Sequence, residues 1–365
     1  MLVVNPAVPP WHAAWPAVRA SGCRVTTEFN LLVEAIGRRP VVAVTGSNGK
    51  STVAAWTARL LNTDAVGGNF ECGLWGLPPL LDRVSELPDD QTVVLEVSSF
   101  QLARLADTPL RPVAAAVTNV SANHLDWHAS FADYLRAKQR LLEVCDGVRV
   151  LPADGEDPLH AAMAGQPRTV TAQAAGPVEW PRVRRLNAGV TRALVEAAGG
   201  TATDTELAAA YNAEGTHPVR LPHRGRIVHE TDGLTFVDDS AATSPEAVLA
   251  TLEPTAAGRV LIAGGRNKGF DIDAFARSLV PLCEAVATIG ETASELAGRV
   301  AVHGGKVRSH RTITAAVKWA AKVCPRPGEV RLTPGMASTD QFADYRQRGV
   351  AFADAVAGLR PKPKP

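Results

Sequence analysis

An excess of charge of either sign is absent from this chain: 38 lysines and arginines stand against 37 aspartates and glutamates, leaving a net charge of +1. That balance excludes the strong field that recruits nucleic acid or an anionic membrane surface. Also absent is any apolar run near the roughly 18 residues that a membrane-spanning helix requires. The opening residues, "MLVVNPAVPPWHAAW", lack a basic stretch leading into an apolar one, so no signal peptide is expected. The five cysteines (Cys23, Cys72, Cys145, Cys283 and Cys324) are scattered and odd in number, with no C-x-x-C pair. This excludes a structural zinc site and fits a reducing, cytoplasmic compartment. What is present is 46% hydrophobic and 21% charged residues over 365 positions, the composition of a globular protein with room for two domains and part of a third.

Strand-like runs alternate with amphipathic helical runs along almost the whole chain, which points to parallel α/β architecture. Residues 1–36 read as strand, helix, strand and helix, too little for a domain. From Val41 the pattern is strand, glycine-rich loop and helix, then strands in "TVVLEVS", "VAAAVTNV" and "VRVLP" with helices between them. Residues 153–186 have weak periodicity. The Pro- and Arg-rich "THPVRLPHRGR" suits an interdomain linker. Beyond it, "RIVHE" and "LTFVDDS" frame a Thr-Asp-Gly turn and predict a hairpin, and further alternation ends in one helix over "TDQFADYRQRGVAFADAVAG". The tail "PKPKP" is expected to be disordered.

The stretch "VVAVTGSNGKST" carries the first chemistry. A β-prone run ends in glycines and Lys50-Ser51-Thr52, and a helix follows. Unpaired N–H groups at a helix start bind phosphate, glycines let backbone wrap an anion, Lys50 reaches the β/γ-phosphates, and Ser51 or Thr52 offers a hydroxyl to Mg²⁺. Val44 stands where the general phosphate-loop pattern has its first glycine. The loop is expected to bind ATP or GTP, and by itself it does not separate kinase, GTPase, motor or ligase. Glu96 ends the strand in "VVLEV", where carboxyl ends of parallel strands border a ligand crevice, so it is a candidate Mg²⁺ ligand. Asn119, His124 and Asp126 follow another strand end. Lys138, in "YLRAKQRLLE", has only helical periodicity to go on, which leaves it an ordinary exposed lysine.

Eight segments, "AVTGSNGKST", "LEVSSFQL", "TNVSANHLD", "YLRAKQRLLE", "LPHRGR", "VDDSAATSPEA", "GGRNKGFD" and "PGMASTDQF", occur in the order seen in Mur ligases, which the chain resembles from about residue 2 to residue 357. The "SSFQL" and "ASTDQF" forms resemble the branch that adds glutamate to UDP-N-acetylmuramoyl-L-alanine. The resemblance implies an α/β fold with a central P-loop ATPase domain, mostly parallel in its sheet, and a C-terminal Rossmann-like domain. It implies residues 1–38 as a remnant of an N-terminal UDP-binding domain, 39–218 as the ATP-binding domain, 219–360 as the C-terminal domain and 361–365 as a tail. It implies a cytoplasmic ligase of peptidoglycan synthesis in which ATP phosphorylates a carboxylate on the acceptor and the amine of an incoming amino acid displaces the phosphate.

By position, the resemblance implies that Gly46, Ser47, Asn48, Gly49, Lys50, Ser51 and Thr52 cradle the phosphates. Asn187, Arg224 and Asp239 would join them at ATP. Ser51, Glu96 and His124 would hold Mg²⁺, with Lys138 becoming an anionic ligand once carbamylated; Lys50, His124 and Lys138 are the implied catalytic residues. Asn69 would meet the acceptor, and Thr243, Lys268, Ser338 and Tyr345 the glutamate. These cations and hydroxyls suit a triphosphate and a dicarboxylate.

Four departures stand out. Most of the family's N-terminal domain is missing, which suggests a misplaced gene start or an acceptor without a uridine nucleotide. Ala241 stands where the family has a lysine near the glutamate, Val190 where it has a second ATP-contacting asparagine, and Asn123 where an aspartate precedes the histidine. A Mur-like ligase for another carboxylate or amino acid, and an inactive ATP-binding paralogue, are the alternative expectations.

Overall fold

The computed structural model describes residues 1–105, 110–121, 123–125, 127–153, 158–163, 165–213, 218–252 and 258–359. Asp126 and the tail 361–365, both singled out above, lie outside the described residues. The chain divides into two compact units, one from Met1 to Leu221 and the other from Pro222 onward.

The first unit runs β1 (Leu2–Val3), α1 (Trp15–Ala20), β2 (Val25–Thr26), α2 (Glu28–Ile36), β3 (Val41–Thr45), α3 (Lys50–Leu60), β4 (Val66–Gly68), α4 (Leu80–Arg83), β5 (Val93–Glu96) and α5 (Ser99–Ala103). It continues through β6 (Ala114–Val117), α6 (Phe131–Glu143), β7 (Val148–Pro152), α7 (Pro158–Met163), β8 (Thr169–Ala172), α8 (Arg182–Ala197) and α9 (Asp204–Asn212). Six strands form one parallel sheet in the order β4-β5-β3-β6-β7-β8. β3 is buried on both faces, as a central strand covered by helices must be. Its residues alternate between two cores: Val41 and Ala43 pack with Phe29 and Leu32 of α2, Val42 and Val44 with Val53 of α3 and Leu194 of α8. The chain leaves β3 toward β5 on one side and returns to β6 on the other. The carboxyl ends of β5, β3 and β6 therefore border one crevice.

The segment before β3 is tied into this unit. β1 and β2 pair in parallel. Arg104 donates from Nε to Pro6 O at 3.1 Å and from Nη2 to Val8 O, while Trp127 Nε1 donates to Ala7 O at 3.0 Å. The Arg104 guanidinium lies 4.9 Å from the Trp15 ring centroid and 5.7 Å from that of Trp127.

The second unit contains β9 (Arg226–Thr231), β10 (Leu234–Asp238), α10 (Pro245–Thr251), β11 (Gly258–Gly264), α11 (Ile272–Leu279) and β12 (Ala285–Ile289). It ends with α12 (Ala293–Val302), β13 (Val307–Ser309), α13 (Ile313–Val323), β14 (Gly328–Leu332) and α14 (Tyr345–Ala357). The sheet order is β13-β12-β11-β14-β10-β9, parallel except for β9. The expected β9–β10 hairpin is present, with Asp232 and Gly233 both at positive φ in its turn. One boundary is corrected. The last helix does not begin at Thr339 but at Tyr345, because Asp344 accepts the Gln347 N–H at 2.9 Å and caps it there.

Arg104→Ala should loosen the segment before α2 without unfolding the sheet. Hydrogen bonds from a charged donor are worth roughly 1.5–3 kcal/mol, so amides of β1 and β2 should exchange about tenfold faster or more. Hydrogen exchange with α3 as internal reference checks this, and unchanged exchange in β1 and β2 would contradict it.

Candidate functional site

The loop between β3 and α3 is shaped by what a side chain would displace. A Cβ on Gly46, whose φ is +148°, would lie 1.9 Å from Thr118 Oγ1, and one on Gly49, at φ +83°, would lie 2.7 Å from Asn187 Oδ1. Only glycine fits both positions, and the second contact brings the expected Asn187 on α8 to the start of α3. Val53 N–H donates to Gly49 O at 3.0 Å as the first bond of the helix, so the preceding N–H groups of α3 have no carbonyl within it. The rest of the loop is pinned to the turn after β6. Ser47 N–H donates to Asn119 O at 2.8 Å and Asn48 N–H to Asn119 Oδ1 at 3.0 Å. Ser47 Oγ also bonds Ser121 and, at 2.8 Å, the Tyr134 hydroxyl on α6. Ser47 is thus occupied in holding the loop, while Ser51 and Thr52, on the first turn of α3, are half-buried.

Two lysines converge on one oxygen. Lys50 Nζ donates to Gly46 O and to Ser47 O, both at 3.0 Å, and Lys138 Nζ donates to the same Gly46 O at 2.7 Å. Lys138 is 1% exposed and lies over the Tyr134 ring at 4.4 Å. This overturns the expectation of an exposed lysine from its helical periodicity: α6 turns that face inward onto the loop. Burial pushes the Lys138 amine well below its ordinary range, the nearby Lys50 charge pushes the same way, and Glu96 partly opposes both.

Glu96, at the end of β5, is 2% exposed. Its Oε1 accepts from Asn69 Nδ2 at 2.9 Å, and Asn69 N–H donates to Glu96 O at 2.6 Å. Oε2 is buried with no hydrogen-bond partner. A carboxylate oxygen in that condition is costly unless a ligand completes it. His124, at φ +55°, is held by its N–H to Asn123 Oδ1 at 2.8 Å. An asparagine oxygen serves that bond as an aspartate would, which accounts physically for the departure at position 123. Val190, by contrast, is buried in the apolar core and offers no polar contact. The donors here are hard oxygens of Glu96 and Ser51 with one imidazole, a set that suits Mg²⁺, and the orphaned Glu96 oxygen is the observation that favours it. Among the described residues no three His, Cys, Asp or Glu side chains form a metal cluster on their own.

The second unit gathers the other expected residues. Asp239 follows β10 and is buried. Its Oδ2 accepts from Thr251 Oγ1 at 2.9 Å, burial pushes its carboxyl up, and Arg331 and Arg224 pull the other way. Thr243 lies in the following turn, where its N–H donates to Ala241 O at 2.9 Å; Ser338 is buried beyond β14, and Tyr345 opens α14. Lys268 is exposed in the loop after β11. Sequence reasoning missed the residue that ties these turns together. Arg348, almost fully buried, donates from Nε to Ser240 Oγ at 3.0 Å, from Nη2 to Ser240 O at 3.0 Å and from Nη1 to Met336 O at 3.1 Å. Ser240 Oγ donates in turn to Tyr345 O at 2.7 Å. Burial lowers the Arg348 guanidinium to about 10, opposed by Asp340 and Asp238. An arginine beside a glycine inside an amphipathic helix was the available signal.

Gly46→Ala should weaken ATP binding by at least about tenfold, or 1.4 kcal/mol, because its methyl group collides with Thr118 and its φ is unsuited to alanine. Calorimetric titration checks this; wild-type affinity would mean that the loop does not grip the nucleotide.

The family model for the Mur ligase middle domain matches residues 44–214, and that for the Mur ligase glutamate ligase domain matches residues 223–336. The chain is 36% identical over 386 aligned residues to a UDP-N-acetylmuramoylalanine–D-glutamate ligase of Rubrobacter xylanophilus, covering 98% of this chain and 85% of that protein. It is 33% identical to the enzyme of the same name from Chromobacterium violaceum, covering 99% of this chain and 84% of that protein. Among solved structures, a pseudomurein peptide ligase type C from Methanothermus fervidus superposes with a TM-score of 0.66 at 14% identity, covering 98% of this chain and 86% of that one. A Thermotoga maritima MurF ligase in complex with ADP gives 0.65 at 17% identity, with 92% and 87% covered. No helix among the described residues is long and apolar enough to cross a membrane. On these matches and this fold, the chain belongs to the Mur ligase family.

Proposed function

We propose that this protein is an ATP-dependent, ADP-forming amide ligase that joins glutamate to UDP-N-acetylmuramoyl-alanine in peptidoglycan synthesis. The substrates follow the names of relatives that match almost the whole chain. The chemistry rests on one observation: an amine with a lowered pKa, Lys138, and a carboxylate with an unpartnered oxygen, Glu96, flank a phosphate-binding loop.

In this reading Gly46–Thr52, Asn187, Arg224 and Asp239 are the residues assigned to ATP. Lys50, already folded over the loop, swings from the Gly46 and Ser47 carbonyls to the γ-phosphate, where it stabilises charge in phosphoryl transfer. Glu96, His124 and Ser51 would hold Mg²⁺, which would neutralise phosphate charge. The lowered basicity of the buried Lys138 amine favours uptake of CO₂, and the carbamate so formed would place an anion beside Glu96 and His124. Asn69 orients Glu96 and meets the acceptor. Thr243, Lys268, Ser338 and Tyr345 receive the amino acid. Residues 1–38 are read as the remnant of an N-terminal UDP-binding domain, 39–218 as the ATP-binding domain and 219–360 as the C-terminal domain.

Ala241, which removes a cation from the amino-acid site, favours one variant of this reading, a relaxed or altered choice of amino acid. Phosphate release should require ATP, the UDP-linked acceptor and an amino acid together. Release with glutamate well above that with other amino acids supports the named substrate, and none with any amino acid in folded, ATP-binding protein would refute it. Lys138→Ala should lose about a hundredfold in turnover with little change in melting temperature, and short-chain carboxylic acids should restore part of it. Full activity in that variant would remove the carbamate from the account.

A further inference from the structure

Glu96 ends β5 and His124 follows β6, and β3 lies between those two strands in the sheet. Ladder hydrogen bonds therefore do not set the distance between the two side chains. A separate contact joins their turns. His128 Nε2 lies 3.0 Å from Ser99 Oγ, so the turn after β6 is bonded directly to the residue three places beyond Glu96.

Both partners are buried, and each is fixed at its own end. The N–H groups of His128 and Trp127 donate to His124 O at 2.9 and 3.0 Å, which closes the turn that carries the His124 ring. Ser99 opens α5 directly after Ser98, whose capping box with Gln101 holds that helix start. Phe100 then stands edge-on to the His124 ring at 4.7 Å and stacks on the His128 ring at 5.9 Å. Tyr134 completes the cluster from α6, edge-on to His128 at 5.2 Å, while its hydroxyl bonds Ser47 in the phosphate loop.

His128 Nδ1 lies 3.4 Å from Asp133 Oδ2. A carboxylate on that side favours the tautomer with its proton on Nδ1, which leaves Nε2 to accept from the Ser99 hydroxyl. Serine, histidine and aspartate joined in that order have the connectivity of a hydrolytic triad. Ser99 is 4% exposed and offers no face to a substrate, so here the same connectivity holds rather than attacks. An apolar pair of the same shape would carry no desolvation cost, so packing alone does not account for the bond.

Resting on the ligase reading above and its assignment of Glu96 and His124 to Mg²⁺, we propose that Ser99 and His128 are positioning residues that set the spacing of those two side chains. Held at a fixed separation, a carboxylate and an imidazole meet a cation with little rearrangement. Released, each must be ordered as it binds.

Calorimetric titration of ATP, with Mg²⁺ and with divalent metal removed by EDTA, reads this role. His128→Phe keeps the stacked ring and removes Nε2, and Ser99→Ala removes the bond from the other side. Each should lose most of the affinity that Mg²⁺ adds to ATP binding, about tenfold, as expected when a group that orients a metal ligand is removed. ATP affinity without the metal should match wild type, which shows the loop intact. His128→Gln, whose amide can still bond Ser99, should recover most of the loss. The variant carrying both His128→Phe and Ser99→Ala should lose no more than either alone. A Mg²⁺ gain unchanged in both single variants would overturn the proposal, as would additive losses or a His128→Gln variant no better than His128→Phe. Equal loss of ATP affinity with and without Mg²⁺ would overturn it too, since that marks a purely structural pair. Absence of any Mg²⁺ gain in the wild-type protein would instead refute the assignment of Glu96 and His124 to the metal, and the pair's role with it.

Discussion

Two lysine side chains meeting on one carbonyl oxygen set the terms for the rest of the first unit. Gly46 O accepts from both Lys50 and Lys138, and Lys138 is buried. Like charges this close and this dry cannot both be carried without compensation. The protein supplies part of it through Glu96 and through the lowered basicity of Lys138.

The fold serves that arrangement by bringing three strand ends together. β3 delivers the loop, β5 delivers Glu96, and β6 delivers the turn that holds Ser47 and Asn48 and leads to His124. α6 closes the arrangement from one side: Tyr134 bonds Ser47, and one turn later Lys138 reaches Gly46. The second unit uses a buried arginine for a comparable purpose, fixing the turns after β10 and β14 against the start of α14.

Much of this was legible in the sequence, for reasons that differ by element. Continuous apolar runs such as "VVAVT" and "RVLIAGG" declare buried strands because both faces are covered. The short strands β4, β8 and β13 escaped, since "VGG", "TVTA" and "VRS" are too brief or too exposed to show a period. α9 escaped as well, since its apolar stripe is weak; the structure shows it opened by a Thr203–Glu206 capping box. The phosphate loop could be read locally because its chemistry lies in consecutive residues. Lys138 and Asn69 could be reached only through resemblance, because their roles depend on partners far along the chain. Arg348 left only the faint signal of an arginine beside a glycine in a helix, because only the fold shows which carbonyls it meets.

The central claim is that the unpartnered oxygen of Glu96 is kept for a divalent cation that accompanies the nucleotide. Calorimetric titration of ATP with and without Mg²⁺, in the wild-type protein and in Glu96→Gln, tests it most directly. The account predicts that Mg²⁺ tightens ATP binding in the wild type and that most of this gain, about tenfold or 1.4 kcal/mol, disappears in Glu96→Gln. An equal gain in both proteins would contradict it.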